Sequence, residues 1–507
     1  MTVSRTWAVA LTGVDGHLID VEADLSAQLP DFRIIGLPDK ALAEAVQRIH
    51  NACANNALTL PRRRLTVNLS PASLPKYGSG FDVAIAVACL ATEAALNERS
   101  VATTVHIGEL GLDGRLRPVA GVLPAVRAAR ESGFDRVVVP WANAAEAELV
   151  EGMQVFGATN LASVAAFHGL DIDVLEQEPV TEQDSDDQAE PVPELAEVIG
   201  QREAVQALVV AAAGGHHILM SGPPGAGKTM LARRLPGILP PLENEQALTV
   251  ASVRSLAGAT VNRLDRTAPF EAPHHSASMA ALVGGGSRVI RPGAIARASE
   301  GVLFLDEASE MPTSVLDALR QPLESGSVTI HRAGLQATFP ARFQLVLACN
   351  PCPCGNYGVV GANCSCVPAM IRRYAGRLSG PLLDRIDIEL PLNRVRVAQG
   401  MEHSTMTTAA ARERVTAARA RSIARLRDTP WRMNRDVSGA WLRTGPSAPA
   451  PEVRAPLDAA LVRGGLTLRG YDRVLRVAWS LADLEGSTRL SIDNVGRALL
   501  LKKGVAA

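Results

Sequence analysis

The sequence predicts an α/β protein: a three-layer α/β core built around a phosphate-binding loop and closed by a helical lid, preceded by an α+β domain. Three observations lead to this prediction. Gly222–Thr229 fits the pattern G-x-x-x-x-G-K-[ST] at every fixed position. Gly301–Glu307 is an apolar run that ends in two carboxylates. Residues 177–194 form an acidic, proline-containing segment with few apolar residues, which separates an N-terminal region from both motifs.

The phosphate-binding loop lies between a strand pattern and a helix pattern, as its motif requires. His217–Ser221 is apolar enough for a buried strand, and a helix begins near Met230. Glycines let consecutive backbone N–H groups face the phosphates at a helix N-terminus, which favours anions. We expect Lys228 to reach the β- and γ-phosphates and Thr229 to ligate Mg²⁺. The predicted nucleotide-binding residues of this loop are Gly222, Pro223, Pro224, Gly225, Ala226, Gly227, Lys228, Thr229 and Met230.

The second motif predicts the catalytic carboxylates. Its four apolar residues indicate a buried parallel strand, and ligands bind at the carboxyl ends of such strands. Asp306 is placed to hold Mg²⁺ through water, and Glu307 to polarise the attacking water. A chance glycine-rich turn and a structural carboxylate pair are the alternatives, which the occurrence of both motifs disfavours. The sequence therefore predicts hydrolysis of a nucleoside triphosphate.

Bulk composition limits the partners of the chain. Its 507 residues include 51 Lys and Arg against 52 Asp and Glu, so a nucleic acid would have to meet local patches or charges repeated in an oligomer. Aromatic residues make up only 4%, which disfavours base-stacking platforms. No apolar run could span a bilayer, the first residues do not form a signal peptide, and five of the seven cysteines lie between 349 and 366. We expect a protein of the reducing cytoplasm with no membrane partner.

The domains follow from these patterns. We predict an N-terminal domain over 1–176, a linker over 177–194, a nucleotide-binding core over 195–393 and a helical lid over 394–507. In the first domain, Arg64–Ser70 is a strand pattern and Phe81–Leu90 a buried helix pattern. The last domain is helical and rich in arginine, above all between Thr408 and Leu426.

From residue 195 onward the chain resembles the AAA+ ATPases, and within them the magnesium chelatase and minichromosome maintenance branch. The resemblance implies ATP as the nucleotide and places Ile199, in Val198–Gln201, against its adenine. Phe343–Asn350 is a buried strand pattern that ends in a polar residue and resembles the family's sensor 1. Asn350 would then orient the attacking water together with Glu307; a simple turn-forming asparagine is the alternative.

Two arginine motifs resemble the family's catalytic arginines. Leu382–Asp387 resembles the arginine-finger motif, which implies that Arg385 acts on the nucleotide of a neighbouring subunit and that the protein forms a ring, by resemblance a hexamer. A surface ion pair of Arg385 with Asp384 or Asp387 is the alternative. Leu466–Arg473 resembles sensor 2, with Arg469 as the preferred contact to the γ-phosphate and Arg473 in reserve.

A β-hairpin pattern that lies between Asp306 and Asn350 in the sequence is the candidate DNA contact. Residues 318–343 alternate around His331-Arg332-Ala333-Gly334, which resembles the hairpin that projects into the channel of replicative helicases. We predict DNA contacts from Arg332 and His331, which a ring would repeat around its channel. An exposed hairpin with incidental charge is the alternative. We expect His274 and His275, in a long insertion before Gly301, to be structural or to line the channel; contacts to a metal or a phosphate are the alternative.

Four cysteines are a candidate zinc site. Cys352-Pro-Cys354 and Cys364-Ser-Cys366 lie close in sequence, and four thiolates can close a tetrahedral Zn²⁺ site. Two C-x-C pairs are less diagnostic than C-x-x-C pairs, and four reduced cysteines in a loop are the alternative.

The N-terminal region resembles the proteolytic domain of Lon, through 67–84 and 108–118, which implies a ribosomal S5 domain 2-like α+β fold. Lon requires a serine nucleophile that a lysine activates. Here the serine position falls on Gly80 and the lysine position on Leu123, while Ser79 is one place away and Lys76 is not at the lysine position. The sequence therefore predicts an inactive protease domain with a binding or assembly role. Arg62–Arg64 and Lys76 are candidates for DNA contact; a solvated basic face is the alternative.

The combination of a Lon-like domain, a linker and a chelatase-type AAA+ module resembles the YifB/ComM family over essentially the whole chain. The resemblance implies a magnesium chelatase-like ATPase, with branch migration of DNA by a hexameric helicase during natural transformation as the activity associated with ComM. The alternatives are a magnesium-chelatase-like motor, an ATP-dependent protease and an ATPase that remodels proteins. The missing Ser–Lys pair argues against a protease. The Lon-like domain argues against a chelatase, since the chelatase motor subunit lacks such a domain.

Overall fold

The computed structural model describes residues 3–36, 42, 44–74, 76, 78–174, 177–180, 192–286, 290–332, 335–359, 361–394 and 406–503. Strands β1–β18 span, in order, Val3–Thr12, Asp15–Ser26, Asp31–Ile35, Arg64–Ser70, Val105–His106, Glu109–Leu110, Leu116–Arg117, Arg136–Pro140, Gln154–Ala158, Ile218–Ser221, Phe270–Glu271, Gly284–Gly285, Arg291–Pro292, Val302–Leu305, Ser327–Arg332, Leu335–Pro340, Gln344–Cys349 and Ile388–Pro391. Described α-helices α1–α20 span Ala45–Asn55, Asp82–Leu90, Glu98–Ala102, Val122–Glu131, Ala144–Ala147, Leu161–Phe167, Arg202–Gly214, Lys228–Ile238, Asn244–Ala257, Met279–Val283, Ala294–Arg297, Thr313–Asp317, Arg320–Ser325, Pro368–Ala375, Gly380–Leu383, Thr408–Arg425, Gly439–Thr444, Pro451–Val462, Leu468–Glu485 and Ile492–Lys503. Most of the predicted linker lies outside the described residues.

The N-terminal region is a mixed seven-stranded sheet with the strand order β3-β4-β2-β1-β5-β8-β9. The long strands β1 and β2 are antiparallel, whereas β5, β8 and β9 are parallel. Helix α2 packs on β1 and β2, and all nine of its residues are buried, as its uniformly apolar sequence predicts. Its one carboxylate, Asp82, forms an ion pair of 2.6 Å with Arg48, and burial raises the pKa of Asp82 to about 6.

The second sheet has five parallel strands in the order β11-β14-β17-β10-β18. Its central strands are continuous runs of apolar residues, as expected of a parallel sheet that is covered on both faces. The phosphate-binding loop follows β10, Asp306 and Glu307 follow β14, and Asn350 follows β17. These three strands are adjacent in the sheet, in the order β14-β17-β10. Because parallel strands end at the same edge, the sheet brings these segments together.

The arginines of the lid helix α16 bind main-chain oxygen atoms of the core. Arg412 Nε donates to Gly237 O of α8 at 2.7 Å, and Arg419 donates twice to Ala212 O of α7, at 3.0 and 2.8 Å. These carbonyls lie in the last turns of their helices, where they have no partner within the helix and favour a cation. Packing between the lid and the core therefore accounts for Arg412 and Arg419, whereas Arg421 and Arg425 bind Asp483 within the lid.

The N-terminal region contacts the nucleotide-binding region at two places. Gly121 N, before α4, donates to both O and Oγ of Ser255 in α9, at 3.3 and 3.0 Å. Gly13, in the β1–β2 turn, forms a parallel bridge with Thr338 of β16. A Cβ atom on Gly13 would lie 2.1 Å from Thr338 O, so the main chains meet without room for a side chain. Within the described ranges, no helix is both long and apolar enough to cross a membrane.

Buried histidines predict that the fold is sensitive to acid. His168 Nε2 lies 2.8 Å from His106 Nε2, and its Nδ1 lies 2.9 Å from Ser100 Oγ. Burial lowers the pKa of His168 from 6.5 to about 4. The unfolded chain therefore binds a proton that the folded chain rejects, and the free energy of unfolding falls as the pH falls from about 6.5 toward 4.

We expect His168→Gln to reduce this loss of stability by roughly 2 kcal/mol between about pH 7 and pH 5, because the variant removes one titrating group. Urea unfolding at both pH values measures the difference. His50→Gln is the matched control, since it makes the same substitution at an exposed histidine outside this contact. Equal pH dependence in all three proteins would contradict the assignment.

Candidate active site

The phosphate-binding loop connects the end of β10 to the first residue of α8, Lys228. Gly225 and Gly227 have φ values of +77° and +83°, a left-handed conformation that glycine adopts without strain. A Cβ atom on Gly222 would lie 2.3 Å from Leu392 O, so this glycine is required by close packing instead. The glycines of the motif are thus required for different reasons: a left-handed backbone at Gly225 and Gly227, and close packing at Gly222.

Polar side chains from the segments that follow three neighbouring strands meet at the loop. Lys228 Nζ donates to Gly222 O at 2.6 Å, to Pro223 O at 3.1 Å and to Asn350 Oδ1 at 3.0 Å. Thr229 Oγ1 donates to Asp306 Oδ2 at 2.7 Å. Burial lowers the pKa of Lys228, an effect that the nearby Asp306 carboxylate opposes. The structure therefore brings four of the predicted site residues into one cluster at the carboxyl edge of the sheet.

Glu307 lies at the edge of this cluster in a left-handed backbone conformation, with φ +49°. Its main-chain N–H donates to Asp306 Oδ1 at 2.9 Å, which fixes the two carboxylates relative to each other. Its side chain pairs with His275, whose Nδ1 lies 2.9 Å from Glu307 Oε2. We expected His275 to be structural or to line a channel. His275 lies shortly after β11, and β11 pairs with β14, the strand that precedes Glu307. The sequence alone offered no other indication of this contact.

Further side chains hold the main chain of the loop, and the sequence did not identify them. Gln201 Nε2 donates to Ala226 O at 2.7 Å, and Arg394 Nε donates to Pro224 O at 3.0 Å. Ile199, the predicted adenine contact, is half-buried two residues before Gln201. Met230 is also half-buried, beside Gly227.

The predicted arginine finger has an ion-pair partner that we did not expect. Arg385 Nη2 pairs with Glu324, and its Nη1 donates to Pro381 O at 2.5 Å. The alternative of an ion pair is therefore present in this chain, but its partner is Glu324 and not Asp384 or Asp387.

Asp387 is buried and already has other partners. It binds Arg473 at 2.5 Å and accepts from His217 N at 3.1 Å. Although burial alone would raise it, the pKa of Asp387 is held well below its usual range by Arg473 and by hydrogen bonds from its neighbours. Arg473, the reserve sensor 2 residue, therefore has a structural partner in this chain.

The arginine motifs lie toward the amino-terminal ends of the sheet strands, whereas the phosphate-binding loop lies at their carboxyl-terminal ends. Asp387 binds the residue that precedes β10, whereas the loop follows β10. Arg469 Nη1 lies 3.6 Å from Asp384 Oδ2, and its side chain is 76% exposed. Within the described residues, neither Arg385 nor Arg469 contacts the phosphate-binding loop. The structure thus separates both arginines from Lys228 and Asn350.

The four cysteines form a compact cluster beside the site. Their Sγ atoms all lie within 4.8 Å of one another, and Cys352 is buried while the other three are half-buried. Tyr357 N donates to Cys352 Sγ at 3.3 Å. Hydrogen bonds, the largest from the main chain of Asn356, lower the pKa of Cys354 to about 6. Cys349, outside the cluster, is buried in β17.

The predicted hairpin is present as β15 and β16, which pair from Ser327↔Pro340 to Arg332↔Leu335. Its tip, Ala333–Gly334, lies outside the described residues. His331 and Arg332 are both exposed. Arg332 Nη1 donates to Gly286 O at 2.7 Å and so joins the hairpin to the insertion that precedes Gly301.

The N-terminal region contains no arrangement that resembles the Lon nucleophile and base at the aligned positions. Leu123 is fully buried, and there is open space around Gly80. Ser79 Oγ donates to a carboxylate, Glu109. The Lys76 ammonium is engaged by main-chain carbonyls, including Gly36 O at 3.2 Å, and burial lowers its pKa. Of the basic cluster, Arg63 lies 3.8 Å from Glu93.

Three family models match successive parts of the chain. The model described as "Subunit ChlI of Mg-chelatase" matches residues 21–143, "Magnesium chelatase, subunit ChlI" matches 194–400, and "Magnesium chelatase, subunit ChlI C-terminal" matches 405–502. The match over 194–400 contains every residue of the cluster around Lys228.

Several proteins are similar over nearly the whole length. An uncharacterized protein of Mycobacterium tuberculosis is 46% identical over 509 residues, 99% of each chain. Competence protein ComM of Haemophilus influenzae is 40% identical over 503 residues, which are 98% of this chain and 97% of ComM. Uncharacterized protein YifB of Escherichia coli is 37% identical over 515 residues, with the same coverage. The magnesium-chelatase 38 kDa subunit of Rhodobacter capsulatus is 27% identical and covers 61% of this chain.

The cluster predicts different defects for two substitutions. We expect Lys228→Ala to weaken ATP binding by roughly 100-fold or more, because it removes the buried ammonium group that would donate charge-assisted hydrogen bonds to the phosphates. We expect Glu307→Gln to leave ATP binding within about threefold and to lower turnover by about 10²–10⁴, since it keeps the shape and removes the general base. Titration with a fluorescent ATP analogue and a phosphate-release assay measure both. Tight binding by Lys228→Ala, or normal turnover by Glu307→Gln, would contradict these roles.

Proposed function

Because the chain belongs to the YifB/ComM family of magnesium chelatase-like AAA+ ATPases, we propose that it is a ring-shaped motor that hydrolyses ATP and moves on DNA, with branch migration or unwinding as the result. The observation that carries the proposal is the separation of Arg385 and Arg469 from the cluster around Lys228. A site divided in this way is complete only where two copies of the chain meet.

The described residues fit ATP with Mg²⁺. A hydroxyl and a carboxylate 2.7 Å apart, on Thr229 and Asp306, supply the hard oxygen ligands that Mg²⁺ prefers. When bound, the ion neutralises charge on the β- and γ-phosphates. Lys228 exchanges its carbonyl partners for phosphate oxygens, and the glycine loop supplies main-chain N–H donors. Asn350 and Glu307 orient the attacking water, and Glu307 takes its proton once it releases His275.

The arginines would complete the site of the neighbouring subunit. The exposed guanidinium of Arg469 has only a 3.6 Å ion pair with Asp384 to give up, and Arg385 would exchange Glu324 for phosphate. Both are planar donors suited to the charge that develops on the γ-phosphate. Hydrolysis is then coupled to assembly, because one chain supplies Lys228 and the next supplies the arginines.

The hairpin would carry the DNA contact. His331 and Arg332 are exposed next to its tip, and a ring repeats them once per subunit around the channel. Repeated cations along a channel follow a phosphate backbone without reading its sequence. The name of the Haemophilus influenzae relative, a competence protein, supports a role in DNA metabolism.

A magnesium-chelatase-like motor is the second candidate. The N-terminal region does not disfavour such a motor, because a model named for a chelatase subunit matches residues 21–143. The full-length match to ComM favours the DNA motor. A protease is disfavoured by the apolar, buried Leu123 at the position of the lysine base.

Mixing two inactive variants tests the shared site. Lys228→Ala and Arg385→Ala should each turn over ATP at least about 100-fold more slowly than the wild type, because each lacks one half of every site. A mixture should regain activity, since an Arg385→Ala subunit keeps Lys228 and receives Arg385 from its Lys228→Ala neighbour. Phosphate release measured across mixing ratios should peak near equal amounts. A mixture as inactive as its components would contradict catalysis across the boundary.

ATP turnover measured with single-stranded, duplex and four-way-junction DNA tests the motor. We expect at least one DNA to stimulate turnover, and the double substitution His331→Ala with Arg332→Ala to reduce stimulation by roughly tenfold at fixed salt, because it removes phosphate contacts. Arg427→Ala is the matched control, since Arg427 is an exposed arginine of the lid with only a local acidic neighbour. Turnover that no DNA changes, with no DNA binding at low salt, would exclude the motor and leave a chelatase-like or protein-remodelling ATPase.

A further inference from the structure

The cysteine cluster has the geometry of a metal site. Cys352 Sγ lies 3.4 Å from Cys354 Sγ and 3.8 Å from Cys364 Sγ, and Cys354 and Cys364 are 3.6 Å apart. Four sulfur atoms around one Zn²⁺, each at the usual Zn–S distance, are about 3.8 Å from one another. These separations far exceed the ~2 Å of a disulfide bond. The described sulfurs are therefore spaced for an ion between them.

The donor set selects the ion. Four thiolates with no water position suit a structural Zn²⁺ site, whereas a catalytic zinc keeps one position open. Within the part of the chain that the structure describes, no other group of three or more His, Cys, Asp or Glu side chains is compact enough to hold a metal. The main-chain N–H of Tyr357 already donates to Cys352 Sγ, as expected of a residue that stabilises thiolate charge.

The cluster adjoins the nucleotide site on two sides. Cys352 follows Asn350 by two residues, and Asn350 Oδ1 accepts from Lys228. Gly355, between the first two cysteines and the rest of the loop, lies against the phosphate-binding loop: a Cβ atom there would be 2.4 Å from Pro224 Cδ. The cysteine segment thus fixes the sensor residue at one end and supports the loop with its turn.

We infer that Cys352, Cys354, Cys364 and Cys366 bind one structural Zn²⁺, and that this ion holds Asn350 and the Gly355 turn in place against the phosphate-binding loop. Without the ion, the described part of this segment keeps short-range hydrogen bonds such as Gly355 N to Cys352 O at 2.9 Å, but three of its four cysteines are only half-buried and lose the ligand that joins them. Loss of the metal then displaces Asn350 and Pro224, and displacements of about 1 Å are costly to catalysis. ATP binding and turnover therefore depend on the zinc.

Metal content tests the first part. Protein purified without added metal should contain about one equivalent of zinc per chain, and the double substitution Cys364→Ser with Cys366→Ser should contain less than about 0.2 equivalent. Cys53→Ala is the control, because Cys53 is buried in α1, outside the cluster. Elemental analysis measures all three. Wild-type protein that contains no zinc and takes up none on titration with Zn²⁺ would overturn the metal site.

A pair of glycine substitutions tests the coupling without touching a ligand. Gly355→Ala and Gly358→Ala impose the same backbone strain, since their φ values are +76° and +73°, but only Gly355 adjoins Pro224, and no atom lies within 4 Å of a Cβ on Gly358. Both variants should keep zinc. Gly355→Ala should weaken binding of a fluorescent ATP analogue and lower turnover, each by about tenfold or more relative to Gly358→Ala. Equal nucleotide binding and turnover by the two variants, with zinc retained, would overturn the coupling and leave the metal site standing.

Discussion

The nucleotide site depends on one buried cation, Lys228, that has no anionic hydrogen-bond partner among the described residues. Lys228 is held by two carbonyl oxygens of its loop and by the amide oxygen of Asn350, while Asp306 binds Thr229 instead. A buried ammonium with neutral acceptors is costly, as its lowered pKa indicates. The loop is therefore arranged for an anion to arrive. The strand order places β17 beside β10 and so brings Asn350 to this lysine.

The positions of the arginines are the basis for proposing that the site is completed by a second copy of the chain. Charge that builds on the γ-phosphate needs more than Lys228, yet Arg385 and Arg469 lie with Glu324 and Asp384 toward the other edge of the sheet. A protomer thus has its phosphate-binding loop at the carboxyl ends of the strands and these two ion-paired guanidinium groups toward the opposite ends. Under the proposed function, this division would keep an isolated chain a poor catalyst and would make contact between neighbours the condition for hydrolysis.

Local patterns were enough to predict the elements, but not all of the site. The glycine loop, the apolar strand before Asp306 and the buried helix α2 each have a short-range signature, and the structure has all three. His275, Gln201 and Arg394 have none, because each binds a group that is distant in sequence but brought near by the sheet. The contacts of the arginines in α16 could not be predicted from sequence either. A high density of arginine is usual for an exposed helix face, whereas several of these arginines bind helix carbonyls.

The N-terminal region restricts how the hairpin can move. The β1–β2 turn meets β16 at Thr338, main chain against main chain, with no room for a side chain on Gly13. The same region holds α9 through Gly121 and Ser255. Rigid contacts of this kind transmit displacement, because close-packed groups shift together rather than deform. A hairpin that changes position with the nucleotide must therefore either carry the seven-stranded sheet with it or bend beyond Thr338, toward His331 and Arg332. The second motion would leave the bridge between Gly13 and Thr338 intact and would break the hydrogen bond from Arg332 to Gly286 O, so the exposed half of the hairpin, where the cations lie, could move without the seven-stranded sheet.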